Sequence, residues 1–167
     1  FMSAEAVQQA ARLGVMLDLQ PAWLYLDAHT LAKHFGYERL RYFQPLRSLF
    51  AAGVVAGGGS DHMQKIGSLR SINPYNPFLG MATAITRRGK HYPGQLHPEE
   101  ALTREQAIRF YTINNARILG WDDKLGSLEP GKLADLIVLD TDLLTCPEER
   151  LAATQVLRTY VGGRLVK

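Results

Sequence analysis

An α/β fold is predicted by the order of elements in the 167-residue sequence: helix, strand, helices, strand, the strands being nearly continuous apolar runs. Runs without period-two alternation belong to parallel strands that joining helices bury on both faces. A second observation is the change of character near residue 121, where turn-rich sequence and a hairpin signal replace helical spacing. The chain is therefore divided into residues 1–120 and residues 121–167. The third observation is the stretch Gly53-Val54-Val55-Ala56-Gly57-Gly58-Gly59-Ser60-Asp61-His62. Its apolar run ends in three glycines and a carboxylate beside an imidazole, which reads as a buried strand delivering Asp61 to a loop mouth. Parallel crossover units gather ligands at the carboxyl ends of their strands, and both Gln20-Pro21 and Ser60-Asp61 lie at such ends.

Each element has its own signal. Ser3 through Leu13 carries Ala6, Val7, Ala10, Ala11 and Leu13 on helical spacing, with Ser3 as cap and Gly14 as stop. Val15 to Leu19 is expected as a strand. Gln20-Pro21 ends it, because Pro21 has no N–H for a ladder and pushes Gln20 out of the helical region. Ala22 to Asp27 is read as an aromatic-rich loop. Helical spacing resumes through Leu31 to Phe35 and Glu38 to Tyr42, and Pro45 opens another helix ending near Ala52-Gly53. Val54 to Gly57 is the next strand. Met63 to Pro77 is polar and holds Pro and Asn; a loop of that length in a compact domain is usually functional, and it is expected to line the site.

Phe78 to Arg88 returns to helical spacing, and Gly89 to Pro98 is a loop holding His91, Tyr92 and His97. Thr103-Arg104-Glu105-Gln106 is a capping box that opens a helix running to about Leu119, stopped by Gly120. Beyond the boundary, Gly126 to Lys132 is turn-rich and Ala134 to Leu139 is a strand. Val156 to Val161 and Arg164 to Val166 form a pair joined by Gly162-Gly163 as a two-residue hairpin turn.

Composition bounds the partners. Hydrophobic residues make up 46% and charged residues 21%, too apolar for a disordered chain. No window reaches the ~20 uncharged apolar residues of a membrane helix, so no membrane partner is expected. The net charge of +3 comes from scattered basic residues without a continuous stripe, which argues against nucleic acid. The single Cys146 precludes an internal disulfide framework and a multi-cysteine zinc site; it is read as a small apolar filler in a cytoplasmic protein. A chain that begins Phe1-Met2-Ser3 and enters a helix at once is expected to be a piece of something longer.

The segment Gly126-Ser127-Leu128-Glu129-Pro130-Gly131-Lys132-Leu133-Ala134-Asp135-Leu136-Ile137-Val138-Leu139-Asp140 resembles the C-terminal return of metal-dependent amidohydrolases into their β-sandwich. Gly59-Ser60-Asp61, Asn76-Pro77-Phe78-Leu79-Gly80 with Thr86-Arg87-Arg88, Tyr111-Thr112-Ile113-Asn114-Asn115-Ala116 and Val161-Gly162-Gly163-Arg164 extend the resemblance over the whole chain. It points to the amidohydrolase-3 branch, which includes the N-substituted formamide deformylases. The resemblance implies the C-terminal part of a (β/α)8 barrel, about strand six to strand eight, over residues 1–120, followed by strands of a small β-sandwich over residues 121–167.

In that family the aspartate at the end of the eighth strand serves at the metal site and shuttles a proton from the attacking water to the leaving nitrogen; Asp61 matches that position. The resemblance implies a divalent metal, zinc by expectation, as one or two ions. Most ligands lie outside this chain: a His-x-His pair on the first strand, a lysine or acidic residue on the fourth and a histidine on the fifth. Where relatives show a histidine shortly after Gln-Pro, this sequence has Trp23, which cannot ligate a metal, so Trp23 and Tyr25 are read as pocket walls.

The implied function is hydrolysis of amide-type C–N bonds, not peptide bonds, in a small-molecule substrate. The alternative is a non-catalytic α/β module that binds a small ligand at the same mouth. His62 is read as a substrate-orienting or merely hydrogen-bonded side chain. His29, His34, His91 and His97 read as structural or exposed, and Arg87-Arg88 as cations favoured by a helix C-terminus. Asn114-Asn115 read as structural hydrogen-bonding residues. An open barrel edge needs covering, so the rest of the same polypeptide or another copy, in a homo-oligomer, is the expected partner.

Overall fold

A computed structural model describes residues 1–62 and 74–166. The expected loop from Met63 to Pro77 therefore lies largely outside the described residues; Pro74, Tyr75 and Asn76 are within them, and Pro77 already begins a helix. The elements run α1 (Ala4–Arg12), β1 (Leu17–Leu19), α2 (Pro21–Phe35), a single 3-10 turn (Glu38–Leu40), α3 (Leu46–Ala51) and β2 (Ala56–Gly58). They continue with α4 (Pro77–Thr86), a 3-10 turn (Pro98–Glu100), α5 (Arg104–Tyr111), α6 (Ile113–Ile118), β3 (Leu136–Leu139), α7 (Glu148–Leu151), β4 (Val156–Val161) and β5 (Arg164–Leu165).

β1 and β2 pair in parallel, Leu17 opposite Ala56 and Leu19 opposite Gly58. Both strands begin two residues later than the apolar runs suggest, for one reason. α1 ends on Gly14 at φ 64°, and the N–H of Val15 closes back on the Ala10 carbonyl. α3 ends on Gly53 at φ 78°, and the N–H of Val54 closes back on the Leu49 carbonyl. In each case a glycine in the left-handed region terminates the helix, and the valine after it serves the helix end rather than the ladder.

Residues 22–27 are not a loop. Pro21 occupies the first turn of α2, where its missing N–H costs nothing, and Gln20 before it is extended at φ −120°, ψ 93°. Leu24 and Ala28, four apart, then bury one face of α2 against Leu40 and Leu96. The helix expected from Thr103 to Leu119 is two. The capping box is present, with Thr103 Oγ1 accepting from the Gln106 N–H and Gln106 Oε1 accepting from the Thr103 N–H. The break falls at Thr112, at φ −128°, ψ −97°, and its hydroxyl donates to the Ile108 carbonyl at 2.7 Å. The helix expected from Glu38 to Tyr42 contracts to one turn, and α7 had no sequence signal strong enough to be read.

The C-terminal sheet has the order β3-β4-β5, all antiparallel, with a bulge at Val138/Leu139. Gly162 and Gly163 both take positive φ in the hairpin turn. The main core gathers Val7, Leu46, Leu49, Val54, Phe78, Met81, Ala107 and Phe110, and Leu139, Leu143 and Val156 from the C-terminal part pack against it.

A buried polar knot ties α3 and α4 together. Arg87 caps α4 in the left-handed region and is wholly buried, its guanidinium donating to the carbonyls of Leu96, Gln44 and Phe43. Burial lowers its pKa to about 10, so it remains a cation at neutral pH. Glu100, equally buried, receives Arg41 together with the N–H and hydroxyl of Ser48. Arg87 is thus a structural cation that satisfies three carbonyls at once. Arg87→Met leaves them without a donor and lowers the free energy of unfolding by on the order of 3 kcal/mol, read from the urea midpoint at constant m-value.

Candidate functional site

The last ladder bond of β2 is the Gly59 N–H to the Leu19 carbonyl, at 2.8 Å, after which the chain leaves the sheet. Ser60 Oγ accepts from the His62 N–H at 3.1 Å, holding a tight turn. Asp61 sits between them at φ 51°, a left-handed conformation that Asp tolerates better than most side chains. Its carboxylate faces out of the turn, and Trp23 Nε1 donates to Asp61 Oδ2 at 3.1 Å. Trp23 lies in the first turn of α2, directly after β1. A hydrogen bond between side chains 38 positions apart therefore links the ends of two adjacent parallel strands.

Beside this mouth is a cleft of about 220 Å³. Ala22 and Tyr25 of α2, Gly59 and Ser60 after β2, Tyr75 and Asn76 before α4, and Tyr111 at the end of α5 contribute to its walls. Asn76 caps α4, its Oδ1 accepting from the Phe78 N–H at 2.9 Å. Gly80 makes room for Tyr111: a Cβ there would stand 1.9 Å from the phenol oxygen. Burial pushes the Tyr111 hydroxyl well above the ordinary tyrosine range, and the nearby Asp18 carboxylate adds to the shift. Asp18, on β1, flanks Gly59, where a Cβ would lie 3.1 Å from Asp18 Oδ1.

The structure thus brings together Asp61 and Trp23 by a direct bond, and places Tyr25 in the cleft wall. Trp23, Asp61 and His62 are not among the described residues lining the cleft; Asp61 and His62 directly follow Ser60, which is. His62 meets Tyr75 edge-on, ring centroids 5.1 Å apart. Asp18 is not singled out by the sequence, and Tyr111 enters there only within the Tyr111–Ala116 segment, not as a site residue. Their signals were a lone carboxylate inside the Val15–Leu19 run, and Gly80 inside a helix, which implies close approach of another group. His29, His34 and His91 are exposed. His97 is buried instead, stacked on Tyr37 at 4.0 Å, with Nδ1 2.9 Å from Glu99 Oε1 and Nε2 2.8 Å from the Tyr37 carbonyl. Cys146 is half-buried and its Sγ accepts from Arg104 at 3.4 Å. Among the described residues no three His, Cys, Asp or Glu side chains converge as a metal site.

A parallel β-α-β unit with a carboxylate just past a strand end, beside a walled cleft, is an α/β scaffold that offers a site at its strand ends. The model of the amidohydrolase family matches residues 1–167, and the chain belongs to that family. An N-substituted formamide deformylase of Arthrobacter pascens is 38% identical over 160 residues, which is 95% of this chain and 28% of that protein. An S-triazine hydrolase of Gordonia rubripertincta is 34% identical over 117 residues, 70% of this chain and 22% of that protein. Among solved structures, an uncharacterized metal-dependent hydrolase of Pyrococcus horikoshii matches with a TM-score of 0.69 and 27% identity, over 88% of this chain and 28% of that one. The chain spans less than a third of the length of each of these relatives.

The raised value of Tyr111 sets a pH dependence. An acid that keeps its proton longer when folded contributes stability fully present below the unfolded value, about pH 10, and lost as pH rises toward the folded one. Unfolding midpoints should therefore fall above about pH 10, and Tyr111→Phe should flatten that limb when urea melts are compared across alkaline pH.

Proposed function

We propose that this chain is the C-terminal portion of a metal-dependent hydrolase that cleaves amide-type C–N bonds in small molecules, with Asp61 as its metal-site aspartate and proton shuttle. The observation that carries the reading is Asp61 itself: a carboxylate presented at the end of a parallel strand, beside a cleft, in a chain matched along its whole length by the amidohydrolase family. On this reading residues 1–120 are the last part of a (β/α)8 barrel and residues 121–167 a β-sandwich portion. β1 and β2 pair directly, with only helices and turns between them. If β2 takes the eighth place in the barrel, β1 takes the seventh, one later than the sixth place read from sequence.

A divalent cation fits Asp61 by donor chemistry, since a carboxylate oxygen is an ordinary ligand for zinc. With no convergence of three ligands among the described residues, the reading assigns the other ligands to the rest of the polypeptide, which also covers the sheet edge, with a homo-oligomer as the second means. When bound, the metal supplies Lewis acidity toward the substrate carbonyl and the attacking water. Asp61 accepts a proton from the attacking water at its carboxylate and returns it to the leaving nitrogen, the two halves of general base and general acid catalysis. Tyr25, Tyr75 and Asn76 contact the substrate along the cleft, and His62 orients it at the rim. A cytoplasmic setting, in which Cys146 stays a thiol beside Arg104, accompanies the proposal.

The test uses the full polypeptide containing this chain, loaded with zinc and offered N-substituted formamides, anilides and cyclic amides while amine release is followed. Hydrolysis of one of these classes is expected, with Asp61→Asn lowering turnover by about 10²–10⁴-fold. Chelation should abolish activity and added zinc restore it. A full polypeptide inactive on all three classes with zinc, manganese or cobalt, or an Asp61→Asn variant as active as the parent, overturns the proposal.

A further inference from the structure

We infer that Trp23 is a positioning residue for Asp61: its indole N–H holds one carboxylate oxygen and sets the plane in which that carboxylate meets the cation. The inference rests on the proposed role of Asp61 and goes beyond it, since a pocket wall needs only the face of an indole.

Three observations carry it. First, the bond is directional: Trp23 Nε1 lies 3.1 Å from Asp61 Oδ2, normal hydrogen-bond geometry for a donor that has no other polar function. Second, Ala22 and Tyr25 on the same helix line the cleft, so the bond between Trp23 and Asp61 is carried by a helix that borders it. Third, the supports of both partners are rigid. Asp61 sits in a turn with φ 51°, anchored by the Gly59 ladder bond and the Ser60 hydroxyl. Trp23 sits in the first turn of a helix whose start is fixed by Pro21, and its own N–H donates to the Gln20 carbonyl at 3.0 Å. Gln44 Nε2 donates to that same Gln20 carbonyl at 2.7 Å, and the Gln44 carbonyl receives buried Arg87.

The orientation of a carboxylate decides how its oxygens meet a cation. Groups that orient a metal ligand by hydrogen bonding change affinity or activity by about 10–100-fold when removed. The indole is suited to this task because it donates one hydrogen bond, accepts none and does not titrate, so the orientation it imposes does not change with pH. It also cannot ligate, so it acts on the cation solely through Asp61.

The experiment measures Zn²⁺ affinity of the full polypeptide by competition with a chromogenic chelator. Four proteins are compared: parent, Trp23→Phe, Asp61→Asn, and a protein in which position 23 carries 3-benzothienylalanine, an isostere of tryptophan with sulfur in place of the N–H. Thermal unfolding of the metal-free proteins accompanies each titration. Both Trp23→Phe and the isostere are expected to lose about 10–100-fold in Zn²⁺ affinity, while the isostere unfolds at the parent temperature. If the isostere binds Zn²⁺ like the parent, the N–H has no role and the inference is overturned, whether or not Trp23→Phe is weakened through packing. If Asp61→Asn itself binds Zn²⁺ like the parent, the failure lies in the proposed role of Asp61, and the inference falls with it.

Discussion

The rest of the structure depends on how closely α5 and α6 approach β2. A Cβ on Gly57 would stand 2.1 Å from Asn115 Oδ1 and 2.7 Å from Ile118 Cδ1, and one on Gly58 would stand 2.4 Å from Phe110 Cε1. Only a strand without side chains at these two positions admits both helices. The approach is used to satisfy backbone groups: Asn114 Nδ2 donates to the Ala56 carbonyl at 2.8 Å and Asn115 Nδ2 to the Gly58 carbonyl at 3.0 Å. These are the carbonyls that alternate with the ones engaged by β1, so carboxamides from a helix serve part of the strand edge that β1 does not reach.

A second constraint works from the opposite side and ends at the same mouth. Arg87 gathers the carbonyls of Leu96, Gln44 and Phe43; Gln44 in turn reaches the Gln20 carbonyl; Gln20 is the residue on which α2 starts. A guanidinium can do this because its five donors fan out in a plane, where a lysine would offer a single point of charge. The path runs from the end of α4, through the segment before α3, to the first turn of α2. Thus the buried cation and the glycine strand jointly fix the relative placement of the two strand ends, and neither contains a group that reacts.

Much of this was legible locally. The caps at Ser3 and Thr103, the stops at Gly14, Gly53 and Gly120, and the Gly162-Gly163 hairpin are all short-range signals, and each is found where the residues place it. Asp61 at the end of a parallel strand was legible for the same reason. Pro21 ends the strand as its sequence predicts, but Ala22 to Asp27 is helix rather than loop, because proline after an apolar run marks a strand end and a helix start equally well; what decides is the burial of Leu24 and Ala28, which depends on Leu40 and Leu96 far along the chain. The burial of His97, Arg87 and Glu100 was illegible because each is made tolerable by partners from other segments. The Trp23 to Asp61 bond is of the same kind: nothing in either neighbourhood announces a partner 38 residues away.

The distribution of groups around the mouth also bears on how one scaffold serves different substrates. The relatives include a formamide deformylase and an S-triazine hydrolase, at similar identity to this chain. On the proposed reading, the carboxylate and its indole partner stand at the rim on supports locked by Pro21, Gln20 and the β1–β2 ladder. The cleft walls come instead from Tyr25 one turn further along α2, from Tyr75 and Asn76 ahead of α4, and from Tyr111. Tyr75 is 74% exposed and meets the His62 ring edge-on, so its replacement disturbs little of the core. Replacing Trp23 removes its hydrogen bond to Asp61, and replacing Gly57 or Gly58 of β2 forces the strand against α5 and α6. On the proposed reading, substrate preference can change at the exposed Tyr75 wall with the Trp23 to Asp61 hydrogen bond left in place.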